Sequence, residues 1–183
     1  MYKSIPADTF NEMVMDAGML LKNFDPASPA APAEADKITA TTGGITITCV
    51  PTVSDLGEDV DNVMNGSKEL MHLDYWDAGI TTTAVKTSAD VILLALGAAD
   101  KDEQTGKITP RSKINQTDFQ DIWWVGDKAG GGVLACKLKN ALSNGGLSIQ
   151  ATKNSKGQLA LDLKGHPTIL DPDDPPIECY SID

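Results

Sequence analysis

Apolar and polar positions alternate most cleanly near the end of the chain, in "ALSNGGLSIQATKNSKGQLALDLKGHP", residues 141–167. Leu147, Ile149 and Ala151 fall on one face of an extended segment, opposite Ser148, Gln150 and Thr152. After a polar turn, Leu159, Leu161 and Leu163 share a face opposite Gln158, Asp162 and Lys164. Period-two patterning of this kind predicts a half-buried hairpin. "GGITITCVP", residues 43–51, sets Ile45, Ile47 and Cys49 against Thr46 and Thr48 and predicts another strand. "AGITTTAVKT" (78–87), "DFQDIWWVG" (118–126), "GGVLACKLK" (131–139) and "PIECYSI" near the C-terminus read the same way, the middle two as a hairpin around Asp127 and Lys128.

One stretch carries a helical pattern. "SADVILLALGAAD" (88–100) begins at a potential N-cap, Ser88, with Asp90 in its first turn and Gly97 near its end. "FNEMVMDAGMLLKNF" fits a short helix or a strand bounded at Gly18. The Pro/Ala-rich "DPASPAAPAEAD" (25–36) predicts an extended surface loop. "KDEQTGKITPRSKINQT" reads as a polar loop, and "HPTILDPDDPP" as a turn-rich link. Residues 53–77 hold neither period for long, carry seven of the 26 acidic residues, and read as one long acidic loop. The expected fold is therefore mainly β: an antiparallel β-sandwich or partly closed barrel with one flanking α-helix.

Length and charge narrow the classes. At 183 residues the chain suits a single domain spanning 1–183, able to bury a core without staples. A formal charge of −11 argues against a groove that grips phosphates, although nucleic acid could still pass nearby. Cys49, Cys136 and Cys179 lie far apart with no CxxC spacing, so three reduced, buried thiols are expected. The opening "MYKSIPADTF" has no apolar h-region, and the longest apolar run, Val91 to Ala99, is too short to span a bilayer. The expectation is synthesis in the cytosol, with no membrane partner.

No catalytic pattern emerges, and neither a metal site nor a cofactor is expected. "HLDYWD" offers His72, Asp74 and Asp77 at no metal-motif spacing. "DKDEQTG" (100–106) fails as a calcium loop, since its glycine falls one place late and Arg111 stands where a bidentate Glu belongs. "DPDD" (171–174) reads as an acidic turn. "AGGG" (129–132) lacks the strand–loop–helix setting of a phosphate loop, and no serine stands in a nucleophile-elbow context. Adjacent Trp123 and Trp124 must point to opposite faces of their strand, one into the core and one against a second layer or another subunit.

Several segments, taken in order, carry a resemblance: "DAGMLLKNFDP", "TTGGITITCVPTVSDLGEDVDN", "KELMHLDYWD", "KITPRSKINQTDFQDIWWVGD", "LKNALSNGGLSIQ" and "GQLALDLKGH". Together they resemble the major tail tube proteins of long-tailed (siphovirus-type) bacteriophages and prophages, over most of the chain. One departure is Pro167 after "GH", where a strand-compatible residue such as tyrosine would be expected. The resemblance implies a sandwich subunit with a flanking helix that forms hexameric rings, stacked into a tube through which the genome passes. It implies as partners other copies of the chain, a tape measure protein, a tail terminator and distal tail or baseplate proteins, with DNA in transit and not specifically bound. The location implied is the virion tail, after synthesis in a host bacterium.

By the same resemblance, an N-terminal arm (1–37), the acidic segment 53–77 and the C-terminal strand would make contacts, with Asp59, Asp61, Glu69 and Asp74 near the seam between rings. The channel wall should be polar at alternate positions, which nominates Thr46, Thr48, Ser148, Gln150, Thr152, Asp162 and Lys164; alternation alone does not separate lumen from outer surface. Two other classes stay open. A monomeric binding module of carbohydrate-binding or adhesin type would use Trp76 and Trp124 as stacking platforms. A metal-dependent hydrolase would use His72, Asp74 and Asp77.

Overall fold

The computed structural model describes residues 5–183; the first four residues of the expected N-terminal arm lie outside the described residues. The described residues form ten strands, β1 (Met19–Leu21), β2 (Thr41–Asp55), β3 (Met71–Ala84), β4 (Ala99–Lys101), β5 (Ile108–Pro110), β6 (Gln120–Asp127), β7 (Val133–Ser143), β8 (Ser148–Gln150), β9 (Gln158–Lys164) and β10 (Ile177–Ile182). One α-helix, α1 (Ala89–Leu96), stands among the described residues. The fold is mainly antiparallel β with one helix, and the sheet is not closed into a barrel.

Two groups of strands share one core. β2, β3, β9 and β8 form one layer, with Ile47 opposite Ile80 and Ile80 opposite Leu163. β1, β6, β7 and β10 form the other, with Leu20 opposite Trp124, Trp124 opposite Cys136 and Cys136 opposite Cys179. β7 belongs to both: its Val133–Leu138 half pairs with β6 and β10, while Leu142 and Ser143 pair with β9.

The crossing is made at a bulge. Gln120 faces Ala141 and Ile122 faces Leu138, so Lys139 and Asn140 stand against Asp121 alone. Asn140 takes a left-handed φ of 46°. Its N–H donates to Asp121 Oδ1 at 3.0 Å, and its side-chain amide to the His166 carbonyl at 3.0 Å.

Leu20, Ile80, Ile122, Trp124, Leu138, Leu159, Leu161 and Leu163 fill the space between the layers. The leucine ladder of β9 buries as its alternation predicts. Val91, Leu94 and Ala95 of α1 join the same cluster, and the Ser143 hydroxyl donates to the Ala95 carbonyl at 2.5 Å. Trp123 points to the opposite face, where Phe24 and Tyr180 pack on it. The two tryptophans thus take opposite faces, as expected, and both are buried.

Several expectations are corrected. The helix ends at Leu96, because Gly97 turns at φ 71° and its N–H returns to Leu93 O; Ser88 sits at the N-cap without a side-chain bond. Residues 99–101 and 108–110 then pair as a small hairpin, inside what reads as helix end and polar loop. β8 pairs with β9 as predicted, but it is only three residues long, and its apolar face does not join the core: Ile149 is 49% exposed. The ambiguous N-terminal stretch yields strand β1 just after Gly18. Of the three cysteines only Cys136 is buried; Cys49 and Cys179 are exposed, since both lie on outermost strands.

The largest correction concerns residues 53–77, which are not one loop. β2 runs on to Asp55 and β3 begins at Met71, leaving a true loop of 56–70 that ends in a 3-10 turn, Lys68–Leu70.

Candidate assembly surface

β2 and β3 outrun their sheet. β9 covers β3 only from Gly79 onward, so the pairs from Val50–Asp77 out to Asp55–Met71 stand as a two-stranded projection. At the usual strand rise it reaches about 20 Å beyond the body. Between Val50 and Asp77 only Gly57 is buried.

The faces of this projection follow from register. Ile45, Ile47, Pro51 and Val53 share one side of β2, and Ile45 and Ile47 pack on the core. Across the ladder, Trp76 faces Pro51, Leu73 faces Val53 and Met71 faces Asp55. The core-facing side therefore continues outward as a partly exposed apolar stripe. Val53 is 44%, Met71 45%, Leu73 44% and Trp76 37% exposed.

A bulge keeps the stripe on one side. Thr52 faces Tyr75 while Val53 faces Leu73, so Asp74 is the extra residue. Its carboxylate accepts from the Ser54 hydroxyl at 2.5 Å. This residue shifts the parity of the apolar positions from even (Trp76) to odd (Leu73, Met71), which is why period-two reading misses the strand.

The loop at the end of the projection is built around Asp55. Its carboxylate accepts from Gly66 N–H at 2.7 Å and Gly57 N–H at 2.9 Å, and those two donors hold its pKa below the usual carboxylate value. Asp59 and Asp61 lie exposed in this loop, Asp59 at a left-handed φ of 61°. Glu69 lies in the 3-10 turn and Asp74 on the shaft. The four acids proposed for a seam thus spread along the projection from tip to shaft.

The polar positions behave differently. Thr46 faces Thr81, which faces Asp162; Thr48 faces Gly79, which faces Lys164. Ser148 faces Ala160 and Gln150 faces Gln158, on the same side of β9 as Asp162. Six of the seven nominated wall residues therefore share one outward face of one layer. Thr152 falls in the turn after β8. Lys164 also reaches Asp77 at 3.0 Å, fastening the base of the projection to β9.

The remaining candidates do not converge. His72 pairs with Ser54 and Asp77 with Val50, about 13 Å apart along the strand by its rise, and Asp74 is bound to Ser54. Among the described residues, no group of three His, Cys, Asp or Glu side chains is placed to hold a metal ion. Asp102 of the 100–106 stretch accepts from the Thr105 hydroxyl and the Gln104 N–H, and Asp174 of "DPDD" from Lys139 at 2.6 Å. Trp124 is buried, with its Nε1 donating to Ala17 O at 3.0 Å, and cannot serve as a stacking platform. No helix among the described residues is long and apolar enough to cross a membrane.

No protein-family model matches the chain, and no curated protein is found similar to it. Among solved structures, a chain from "Virion of native gene transfer agent (GTA) particle" is similar with a TM-score of 0.42 and 10% identity, over 83% of this chain and 92% of that one. A likeness at that level defines neither fold nor function.

Proposed function

We propose that this protein is a structural subunit that assembles with copies of itself, as a tail tube protein: hexameric rings stacked into a channel for genome delivery, in a phage tail. The observation that carries the reading is the amount of surface left uncovered. The subunit exposes 12073 Å² for 19.4 kDa, where a compact monomer of that mass exposes about 8,500 Å². A surplus of that order is what a subunit with extensive obligate contacts carries.

The form of the surplus supports the same reading. β2 leaves one long edge without a strand partner, and β10 leaves another, edges that lateral association would pair. The projecting hairpin offers an apolar stripe for axial contact with the next ring. Lateral contacts that close and axial ones that stay open give a tube. The polar face carrying Thr46, Thr48, Ser148, Gln150, Asp162 and Lys164 suits a wetted wall that does not hold phosphate. The tape measure, terminator and baseplate partners, and the virion-tail location, follow from the sequence resemblance. On this reading the protein is not a catalyst.

A monomeric binding module is the second reading, favoured by one observation: Tyr75, Trp76, Asp77, Lys164 and Asp173 line a groove at the base of the projection. Negative-stain microscopy with sizing, across a concentration series, separates the two. Rings or hollow tubes of uniform width support the tube. A monomer at every concentration moves the weight to the binding module, and a glycan screen of Trp76→Ala then follows. A chain with residues 51–76 replaced by Asn-Gly keeps the Val50–Asp77 pair and should stay a folded monomer; normal tubes from it would remove the hairpin from the assembly.

A further inference from the structure

We propose that Cys136 and Cys179 form a modification site, a thiol pair that closes to a cross-strand disulfide when the protein meets a small-molecule disulfide such as oxidised glutathione. The two residues are direct partners in the β7–β10 ladder. Directly opposed residues on antiparallel strands have Cα atoms about 4.5–5.5 Å apart, within the roughly 4.4–6.8 Å that a disulfide spans. Their sulfurs already touch, at 2.6 Å. The register thus places the pair within bridging distance.

The pair is also asymmetric in the way a two-step exchange requires. Cys179 is exposed on the outermost strand of its layer, whereas Cys136 is buried on the core face beside Trp124. Cys179, as thiolate, attacks one sulfur of oxidised glutathione; an S–S bond forms on Cys179 and one glutathione thiolate leaves. Cys136 then gives up its proton and attacks the Cys179 sulfur, expelling the second glutathione. Two protein thiols are oxidised to one disulfide and one glutathione disulfide is reduced to two thiols, so electrons and protons balance. Burial, and then the Cys179 contact, push the Cys136 thiol up to about 12, so the exposed Cys179 and not Cys136 makes the first attack.

The bond would lock β10 to the strand that links both layers. Without it, β10 is held at the edge by its ladder to β7 and by Lys139, which grips Glu178 at 2.6 Å. This inference does not rest on the tube reading; it needs only the folded chain and an oxidant.

The test is incubation of the folded full chain with oxidised glutathione, then thiol counting after denaturation and non-reducing tryptic mass mapping. The expected result is a fall from three free thiols to one, with peptide 129–137 joined to 165–183. A rise in melting temperature that reductant reverses should accompany it. Cys179→Ser, a change at an exposed site, should abolish both the link and the rise. Three thiols persisting, a glutathione left on Cys179 without closure, or a link through Cys49 in peptide 38–68 would each overturn the proposal.

Discussion

Replacing Leu73 and Met71 together by threonine strips the outer half of the apolar stripe while keeping strand-forming residues on β3. Each side chain is a little under half exposed in the subunit. Full burial of such a side chain is worth about 1.5–3 kcal/mol, so covering the exposed part contributes roughly 1 kcal/mol each, about 2 kcal/mol per subunit. At about 1.4 kcal/mol per tenfold, the critical concentration for assembly should rise roughly thirtyfold. Neither residue belongs to the buried core clusters, so the melting temperature of the monomer should hardly move. Sedimentation across a concentration series gives the critical concentration, and thermal denaturation of dilute protein gives the control. An unchanged critical concentration, with the monomer intact, would refute the stripe as a contact. A lowered melting temperature would instead mean that the projection packs on its own body.

Other outcomes follow from the body of the fold. Asn140→Ala loses the amide bond to His166 O and forces alanine into a left-handed turn; a loss of about 2 kcal/mol in denaturant unfolding is expected, with Asn140→Gly falling in between. In acid, Asp121 and Glu178 set the sign. Burial alone would raise Asp121, but Lys137 and the Asn140 N–H outweigh it and hold it below its ordinary value; Lys139 and then Tyr180 do the same for Glu178. Depressed carboxylates stabilise the fold above their unfolded values of 3.8 and 4.5, and that contribution fades as pH falls through the lower folded ones. Stability should therefore hold from neutral pH to about 5 and decline below 4, less steeply in Asp121→Asn, as followed by denaturant titration at each pH. Iodoacetamide on the reduced native protein should label Cys179 and Cys49 and spare Cys136 until the chain unfolds, as read by peptide mass mapping.

How far the sequence announces this fold depends on where alternation is regular. Leu159, Leu161 and Leu163 bury because β9 is flanked on both sides and its period is unbroken. Thr46, Thr48, Ser148, Gln150, Asp162 and Lys164 are legible as polar positions. That they lie on one face depends on pairings between distant strands, Thr46 with Thr81 and Thr81 with Asp162, which no local pattern contains. The projection is hidden for two physical reasons. Asp74 inserts into β3 and flips the parity of its apolar residues, and the stripe is partly exposed, outside the core. The bend in β7 is equally quiet, resting on one asparagine in a strand that otherwise reads as continuous.

The double membership of β7 has a consequence for how the molecule comes apart. A sandwich whose layers are joined only by loops can open one layer at a time. Here, separating the layers means breaking β7 from β9 or from β6 and β10, and either rupture exposes the core that both layers share. The domain should therefore unfold in one cooperative step, with the amides of Val133–Ser143 among the last to exchange with solvent. The projecting hairpin, held by no third strand, should exchange early and on its own.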